Sequence, residues 1–382
     1  MTATKEDVLD ALRGVVDPDL GRDIVSLGFV TQAAVCDGLV KVTINLTTPA
    51  CPVKDQMREQ ARGLLAALPG VTKVDVEMTA EVRGAKQQRQ IAPDVKHIVA
   101  VSSGKGGVGK STATVNLAVA LARTGARVGV MDCDVYGPDI PMMMGLRGEP
   151  ETTPDRKLRP KERHGVRTMS IGYLLAEEKP VVWRGPMVHK LIEQFLADVE
   201  WGPLDYLLVD MPPGTGDAQL SLAQIVPLTG AVLVTTPQAV STFDVGKAIG
   251  MFKQVNVEIL GIVENMSSFV VRGTVEGANP GATVKIDTGL GVHACPVGGD
   301  GSFEATLEIF GRGGADALAK RHGFPVLGRI PLNPLVRVGG DAGDPVVVSD
   351  PDSAEARAFI DCAGKLAQRV AIREHAELPI LQ

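Results

Sequence analysis

Long apolar segments are missing from this 382-residue sequence. No uninterrupted apolar run approaches the roughly 18 residues of a membrane-spanning helix, and the start, MTATKEDVLD, lacks the basic and apolar regions of a signal peptide. A surplus of basic charge is also missing, since 39 Lys and Arg face 45 Asp and Glu and the net charge is −6. We therefore expect a cytoplasmic protein with no membrane partner and no nucleic-acid partner.

Cysteine is scarce, and the number of cysteines is odd. In a reducing compartment, five scattered cysteines indicate thiols or metal ligands rather than disulfides. They are Cys36, Cys51, Cys133, Cys295 and Cys362. A hydrophobic content of 45% and a charged content of 22% are ordinary for a globular protein, and the length predicts two or three domains.

A glycine-rich stretch at residues 98–112, IVAVSSGKGGVGKST, dominates the sequence. It contains the pattern G-x-x-x-x-G-K-[ST] between a predicted strand and a predicted helix, an arrangement that disfavours the alternative of a ligand-free turn. Backbone amides bind α- and β-phosphates, Lys110 reaches the β/γ oxygens, and Ser111 offers a hydroxyl to Mg²⁺. The predicted nucleotide-binding residues here are Gly104, Lys105, Gly106, Gly107, Val108, Gly109, Lys110, Ser111 and Thr112.

Three acids follow apolar strands that end at one edge of the predicted sheet. Asp132 and Asp134 follow the strand at 127–131, and Asp210 follows the strand at 204–209. A carboxylate in the position of Asp210 coordinates Mg²⁺, usually through water. Asp132 or Asp134 could orient the attacking water, although catalysis of phosphoryl transfer is mainly positioning and charge neutralisation. The alternatives are a helix cap for Asp210 and a solvated turn for the Asp-x-Asp pair.

Strands and helices alternate from residue 96 to residue 382. This pattern predicts an α/β domain with a mostly parallel, doubly wound sheet of the P-loop NTPase kind. Further strands are predicted at 231–235, 259–263 and 326–330, and a helix closes the domain. A polar segment at 81–95 is predicted to be a linker.

Residues 1–80 predict a small α+β domain. Val8 to Val16 have helical spacing, Ile24 to Ala34 and Leu39 to Leu46 indicate a strand pair, and a helix at 53–68 precedes a last strand. Cys51 lies between a strand and this helix start, where the helix dipole and free amides favour a thiolate. The alternative is a small buried cysteine.

Several long segments resemble one family. SGKGGVGKST, DCDVYGPDIP, VWRGPM, LDYLLVDMPPGTGDAQLSL, VTTPQAVSTFDVGKAI, LGIVENMS and LGRIPL are similar to the Mrp/ApbC family of iron-sulfur-cluster carrier ATPases, relatives of MinD, ParA and nitrogenase iron protein. Residues 1–80 resemble the small iron-sulfur-assembly domain of such proteins, with Asp17-Pro18 and Thr47 to Pro52 as its motifs.

The resemblance implies an ATP-hydrolysing carrier that receives iron-sulfur clusters from an assembly scaffold and passes them to apo-proteins. It also implies a homodimer around two ATP molecules, with Lys105 as the deviant Walker A lysine that reaches the partner's phosphates. Asp132 and Asp134 match the acids of the family's first switch. Asp210 and Gly214 match the second switch, and Asn265 resembles the family's adenine-contacting asparagine.

The chain departs from the family at the cluster motif. Family members hold a 4Fe-4S cluster with a C-x-x-C pair from each subunit, whereas here a Gly-rich insertion spans about 269–302 and Gly298 replaces the second cysteine of Cys295-Pro-Val-Gly298. His293 and Cys295, on a flexible segment, could still give a dimer two cysteines and two histidines. The alternatives are loop residues in an ATPase that has lost the bridging cluster, or cluster handling at Cys51.

Three other functions use related sites. A MinD- or ParA-like positioning ATPase needs a basic amphipathic membrane helix or a DNA-binding surface, and neither the tail REHAELPILQ nor the net charge supplies one. An electron donor like nitrogenase iron protein needs four thiolates. A scaffold without activity would have a defective phosphate loop, and this loop is intact.

Overall fold

A computed structural model describes residues 3–18, 20–36, 38–82, 92–174, 185–279 and 281–377. Most of the predicted linker lies outside the described residues, at 83–91, and so do the first three residues of the VWRGPM segment. In the described part of the chain, no helix has the length and apolar character needed to cross a membrane.

The N-terminal region combines two helices with five short strands. Its elements are α1 (Lys5–Leu12), β1 (Val16–Asp17), β2 (Arg22–Asp23), β3 (Val30–Cys36), β4 (Leu39–Leu46), α2 (Lys54–Ala66) and β5 (Lys73–Ala80). β4 is central, antiparallel to β3 and parallel to β5. One face of β4 and both helices share a buried apolar cluster that includes Val8, Leu12, Val40, Val42, Ile44, Met57, Ala61 and Leu65.

Two predictions for this region are wrong at their boundaries. Helix α1 ends at Leu12, and Val16 begins a strand that pairs with Asp23. The strand predicted from Ile24 begins only at Val30, because the Asp23 carboxylate accepts hydrogen bonds from the backbone amides of Val25 and Ser26 and turns the chain there.

A nine-stranded sheet organises the rest of the described chain. Its strands are β6 (Val95–Ser103), β7 (Val128–Asp132), β8 (Lys161–Arg163), β9 (Val166–Ser170), β10 (Leu204–Asp210), β11 (Gly230–Thr235), β12 (Ile259–Thr274), β15 (Ser302–Leu307) and β16 (Val326–Leu332). The order is β15-β12-β11-β6-β10-β7-β9-β8, with β16 beside β12. Only the β8–β9 and β12–β15 pairs within this described sheet are antiparallel.

Helices cover both faces of this sheet. They are α3 (Lys110–Arg123), α4 (Ile140–Met143), α5 (Gly185–Ala197), α6 (Asp217–Ile225), α7 (Ala239–Gln254), α8 (Gly314–His322), α9 (Pro334–Ala342), α10 (Val346–Ser349) and α11 (Ala354–Glu377). Ile98 and Ala100 of β6 pack in a cluster with α5 and α7, whereas Val99 and Val101 pack in a second cluster with α3 and α11. The doubly wound, mostly parallel fold is therefore confirmed.

The Gly-rich insertion is a small β structure. The end of β12 pairs with β15, and between them β13 (Thr283–Asp287) and β14 (Val292–Pro296) form an antiparallel hairpin. Apolar residues from both strand pairs form a separate cluster that includes Cys295, Ala305 and Leu307. The segment predicted to be flexible therefore forms paired strands, in which Val284 and Ile286 share one face of β13 and Ile286 packs against this cluster.

Candidate functional site

The phosphate loop connects β6 to α3 at the carboxyl end of the sheet. Gly107 and Gly109 have φ angles of 78° and 81°, a left-handed conformation that favours glycine. Gly104 is required for a different reason, since a Cβ atom there would lie 2.3 Å from the backbone of Asp244 and Val245 in α7. The loop therefore brings its amides to the start of α3, in the arrangement that binds phosphates.

Asp210, fully buried at the end of β10, collects three donors. Lys110 Nζ and Ser111 Oγ each donate to Oδ2 at 2.6 Å, and Thr114 Oγ1 donates to Oδ1 at 2.7 Å. Lys110 Nζ also lies 3.6 Å from Asp134 Oδ2. Burial alone would lower the pKa of Lys110, but the carboxylates of Asp210 and Asp134 raise it overall, so this lysine stays charged.

Asp132 lies directly beside Asp210, because β7 and β10 pair in register at these two residues. Its carboxylate accepts a hydrogen bond from Ser170 Oγ at 2.7 Å and one from the backbone amide of Asp134 at 3.1 Å. Burial, followed by the charge of Asp210, raises the pKa of Asp132 well above its usual range, while the Ser170 hydroxyl opposes this shift. Burial also raises the pKa of Asp134.

Asn265 and Gly214 support the loop from other elements. Asn265 Nδ2 donates to the Val108 carbonyl at 2.9 Å, and the amide of Gly214 donates to the Ser103 carbonyl at 3.1 Å. A cavity of about 400 Å³ opens over the loop. Its lining includes Lys105, Gly106, Thr112, Asp134, Asp139, Asn265, Asn333 and Arg337.

The structure brings together Lys110, Ser111, Asp134 and Asp210 as the sequence predicts, and it places half-buried Lys105 at the rim of the same cavity. Sequence reasoning missed two partners of the acids. Thr114 lies one helical turn after Lys110, so the 3.6-residue period could have revealed it. Ser170 ends β9, a strand that the sequence pattern did not predict.

The cysteines lie in contrasting surroundings. Cys295 is 7% exposed, and strand β14 places it on the same side as exposed His293. Cys51 is half-buried in the turn between β4 and α2. Burial raises the pKa of Cys133 well above its usual range and that of Cys362 to about 12, which suits structural thiols. Among the described residues, no group of three or more His, Cys, Asp or Glu side chains could hold a metal ion.

Comparison with known families gives two matches that divide the chain. The family described as NUBPL iron-transfer P-loop NTPase matches residues 94–280 and 295–367. The family described as iron-sulfur cluster assembly protein matches residues 5–77. The interruption of the first match falls in the hairpin of β13 and β14.

Individual relatives agree with these matches. The chain is 48% identical over 374 residues to a protein named iron-sulfur cluster carrier protein from Deinococcus radiodurans, covering 97% of each chain. It is 45% identical to a protein of the same name from Synechocystis, covering 97% of this chain and 98% of the relative. A nucleotide-binding protein from Archaeoglobus fulgidus, solved with ADP, is 35% identical, with a TM-score of 0.52, over 68% of this chain and 92% of that one. The resemblance drawn from the sequence is therefore confirmed, and the chain belongs to the family of iron-transfer P-loop NTPases.

Proposed function

We propose that this protein is a carrier that binds iron-sulfur clusters and transfers them to apo-proteins, and that it binds and hydrolyses ATP. The observation that carries this proposal is the buried set of Lys110, Ser111 and Asp210 at the phosphate loop. It occurs in a chain whose relatives are named iron-sulfur cluster carrier proteins.

The loop fits ATP and Mg²⁺ by its donor set. Lys110 is charged and can neutralise the β- and γ-phosphates, while the hydroxyl of Ser111 and the carboxylate of Asp210 are the oxygen ligands that Mg²⁺ prefers. Bound Mg²⁺ supplies further charge neutralisation at the phosphates. In hydrolysis, water attacks the γ-phosphorus, the bond to the β–γ bridging oxygen breaks, and Asp132 or Asp134 orients the water. The products are ADP and phosphate.

The cluster is the cargo, and we assign its handling to Cys51. The thiol of Cys295 lies in an apolar cluster with Ala305 and Leu307, so the hairpin would have to open before that sulfur met iron. Cys51 packs at the edge of the N-terminal apolar cluster, but it lies in a turn and is partly exposed, so its thiol is more accessible than that of Cys295. A 4Fe-4S cluster requires several soft ligands. One thiolate per chain leaves the others to a second subunit or an acceptor, which makes the cluster easy to release.

Anaerobic reconstitution with iron and sulfide tests this assignment. We expect the wild type and Cys295→Ser to develop the same charge-transfer absorbance and to bind equal iron and sulfide, and Cys51→Ser to lose both. If Cys295→Ser alone loses the absorbance and the bound iron, the cluster site lies in the Gly-rich insertion. Equal incorporation of iron and sulfide by the wild type and a Cys51→Ser/Cys295→Ser double variant would exclude both cysteines as cluster ligands.

The functional unit in this proposal is a homodimer, with Lys105 contacting the partner's nucleotide. Two apolar rings support it, since Tyr136 and Phe243 are each 68% exposed. Tyr136 lies two residues after Asp134, and Phe243 directly precedes Asp244, whose backbone lies against Gly104. A second subunit that covers the phosphate loop would bury these two rings, which lie on segments adjoining the site.

The proposed carrier consists of an assembly-like domain at 1–80, a linker at 81–95 and an ATPase domain at 96–382. Its proposed location is the cytoplasm, where reduced thiols and clusters are chemically compatible. Partners are apo iron-sulfur proteins and an assembly scaffold.

A further inference from the structure

The turn that carries Cys51 touches the ATPase region. The Tyr206 hydroxyl on β10 donates to Thr48 Oγ1 at 3.1 Å, and both side chains are buried, with 1% and 2% exposure. Ala50 and Val82 belong to the same buried apolar cluster as Ala363 of α11. Side chains of the N-terminal region and of the ATPase region are therefore buried against each other at this contact.

Gly364 in α11 lies directly under the residues that flank Cys51. A Cβ atom at this position would lie 3.3 Å from the Ala50 carbonyl oxygen and 3.9 Å from Pro52 Cβ. Glycine in a helix interior weakens the helix relative to alanine. Its presence here allows the turn to approach the backbone of α11 closely.

We propose that β10 and α11 form an intramolecular docking site for residues 47–53, and that docking adds to the packing of Cys51 against the N-terminal apolar cluster in restricting access to its thiol. Tyr206 and Gly364 act as positioning residues in this site. The thiol then meets iron or an acceptor fully only when the turn leaves the ATPase region. The link to cluster transfer rests on the function proposed above, but the docking itself does not.

The same strand connects this contact to the nucleotide site. β10 carries Tyr206 within the sheet and ends at Asp210, where Lys110, Ser111 and Thr114 converge. α11 also packs against α3, the helix that begins at Lys110, through their shared apolar cluster. The docking site is therefore built from the elements that hold the phosphate loop.

Alkylation of the full-length chain by iodoacetamide tests the proposal, with the rate at each cysteine read from peptide masses. Exposed Cys36 on β3 is the internal reference. We expect Gly364→Leu to accelerate alkylation of Cys51 about tenfold relative to Cys36, because the new side chain displaces the turn. Tyr206→Phe removes one net hydrogen bond and should accelerate it roughly fivefold.

The matched control is Gly250→Leu in helix α7, where no atom lies within 4 Å of the position that a Cβ would take, and this variant should leave the Cys51 rate unchanged. Alkylation of buried Cys133 would show that a variant has unfolded. If Cys133 of Gly364→Leu is alkylated, the Cys51 rate of Tyr206→Phe becomes the decisive measurement. Equal Cys51 rates in the wild type and the decisive variant would overturn the docking proposal. The assay contains no iron, so its failure is distinct from failure of the reconstitution.

Discussion

Lys110 Nζ lies 2.6 Å from Asp210 Oδ2, which makes the phosphate-loop lysine and the acid at the end of β10 a buried ion pair across 100 residues of sequence. The lysine is 6% exposed and the aspartate 0%. Such a pair is costly to break from one side, because the remaining charge loses its partner in the interior. The same two residues therefore contribute both to the stability of the folded site and to phosphate binding.

Lys110→Ala should lower ATP hydrolysis about 100-fold or more, since it removes the charge that neutralises the β- and γ-phosphates. Phosphate release at saturating ATP measures the rate. Lys105→Ala is the matched control within the loop. It should also impair hydrolysis, but isothermal titration should show a smaller loss of nucleotide affinity than in Lys110→Ala. Wild-type hydrolysis by Lys110→Ala would contradict the nucleotide assignment.

Thr114→Val should lower hydrolysis about tenfold while keeping the shape of the side chain. The Thr114 hydroxyl fixes one oxygen of Asp210, and a charge-assisted hydrogen bond of this kind contributes roughly 1.5–3 kcal/mol. Thr114→Ser keeps the hydroxyl and should stay near the wild-type rate. If Thr114→Val and Thr114→Ser behave alike, the hydroxyl does not position Asp210.

The pH dependence of hydrolysis should report Asp132. An acid loses its charge as the pH falls through its pKa, and the pKa of Asp132 is raised mainly by burial, so the rate should fall at a higher pH than an ordinary aspartate would cause. Ser170→Ala removes the hydroxyl that lowers this pKa and should move the acid limb of kcat to higher pH. Ser170→Thr serves as the control, and an identical limb in Ser170→Ala would exclude Asp132 as the titrating group.

The sequence predicts the residues of the nucleotide site better than the residues that hydrogen-bond to them. Lys110 and Asp210 follow from a fixed motif and from the rule that parallel strands present their carboxyl ends at one edge. Ser170 does not follow, because β9 is the second strand of a short β8–β9 hairpin and its contact with Asp132 depends on strand order. Strand order is a tertiary property that local periodicity does not encode.

The glycine-rich insertion shows a second limit. Its many glycines indicate flexibility, yet Val284 and Ile286 alternate along β13, and Ile286 packs with Val271 of β12 in a small apolar cluster. In the N-terminal region, the apolar run after Asp23 reads as a strand, but one carboxylate caps two amides and turns it. Side-chain capping of this kind competes with strand pairing and is weak in a sequence pattern.

Mixed dimers test the action of Lys105 in trans. Lys105→Ala subunits have a complete site of their own but cannot complete the partner's site, whereas Asp210→Ala subunits can. We expect the mixture to show hydrolysis different from the sum of the two variants measured separately. Sedimentation should show a dimer. If it shows only a monomer, both with and without ATP, Lys105 does not act on a partner subunit.

Transfer of a cluster tests the central claim most directly. The reconstituted protein is mixed with an apo-enzyme that regains activity only on receiving a 4Fe-4S cluster, in the presence of a chelator that captures free iron. We expect the wild type to restore activity at a rate that changes on addition of Mg²⁺ and ATP. Lys110→Ala, loaded to the same iron content, should restore it at one rate with or without ATP. Transfer by the wild type that the chelator abolishes, or that proceeds identically with and without ATP, would contradict an ATP-coupled cluster carrier.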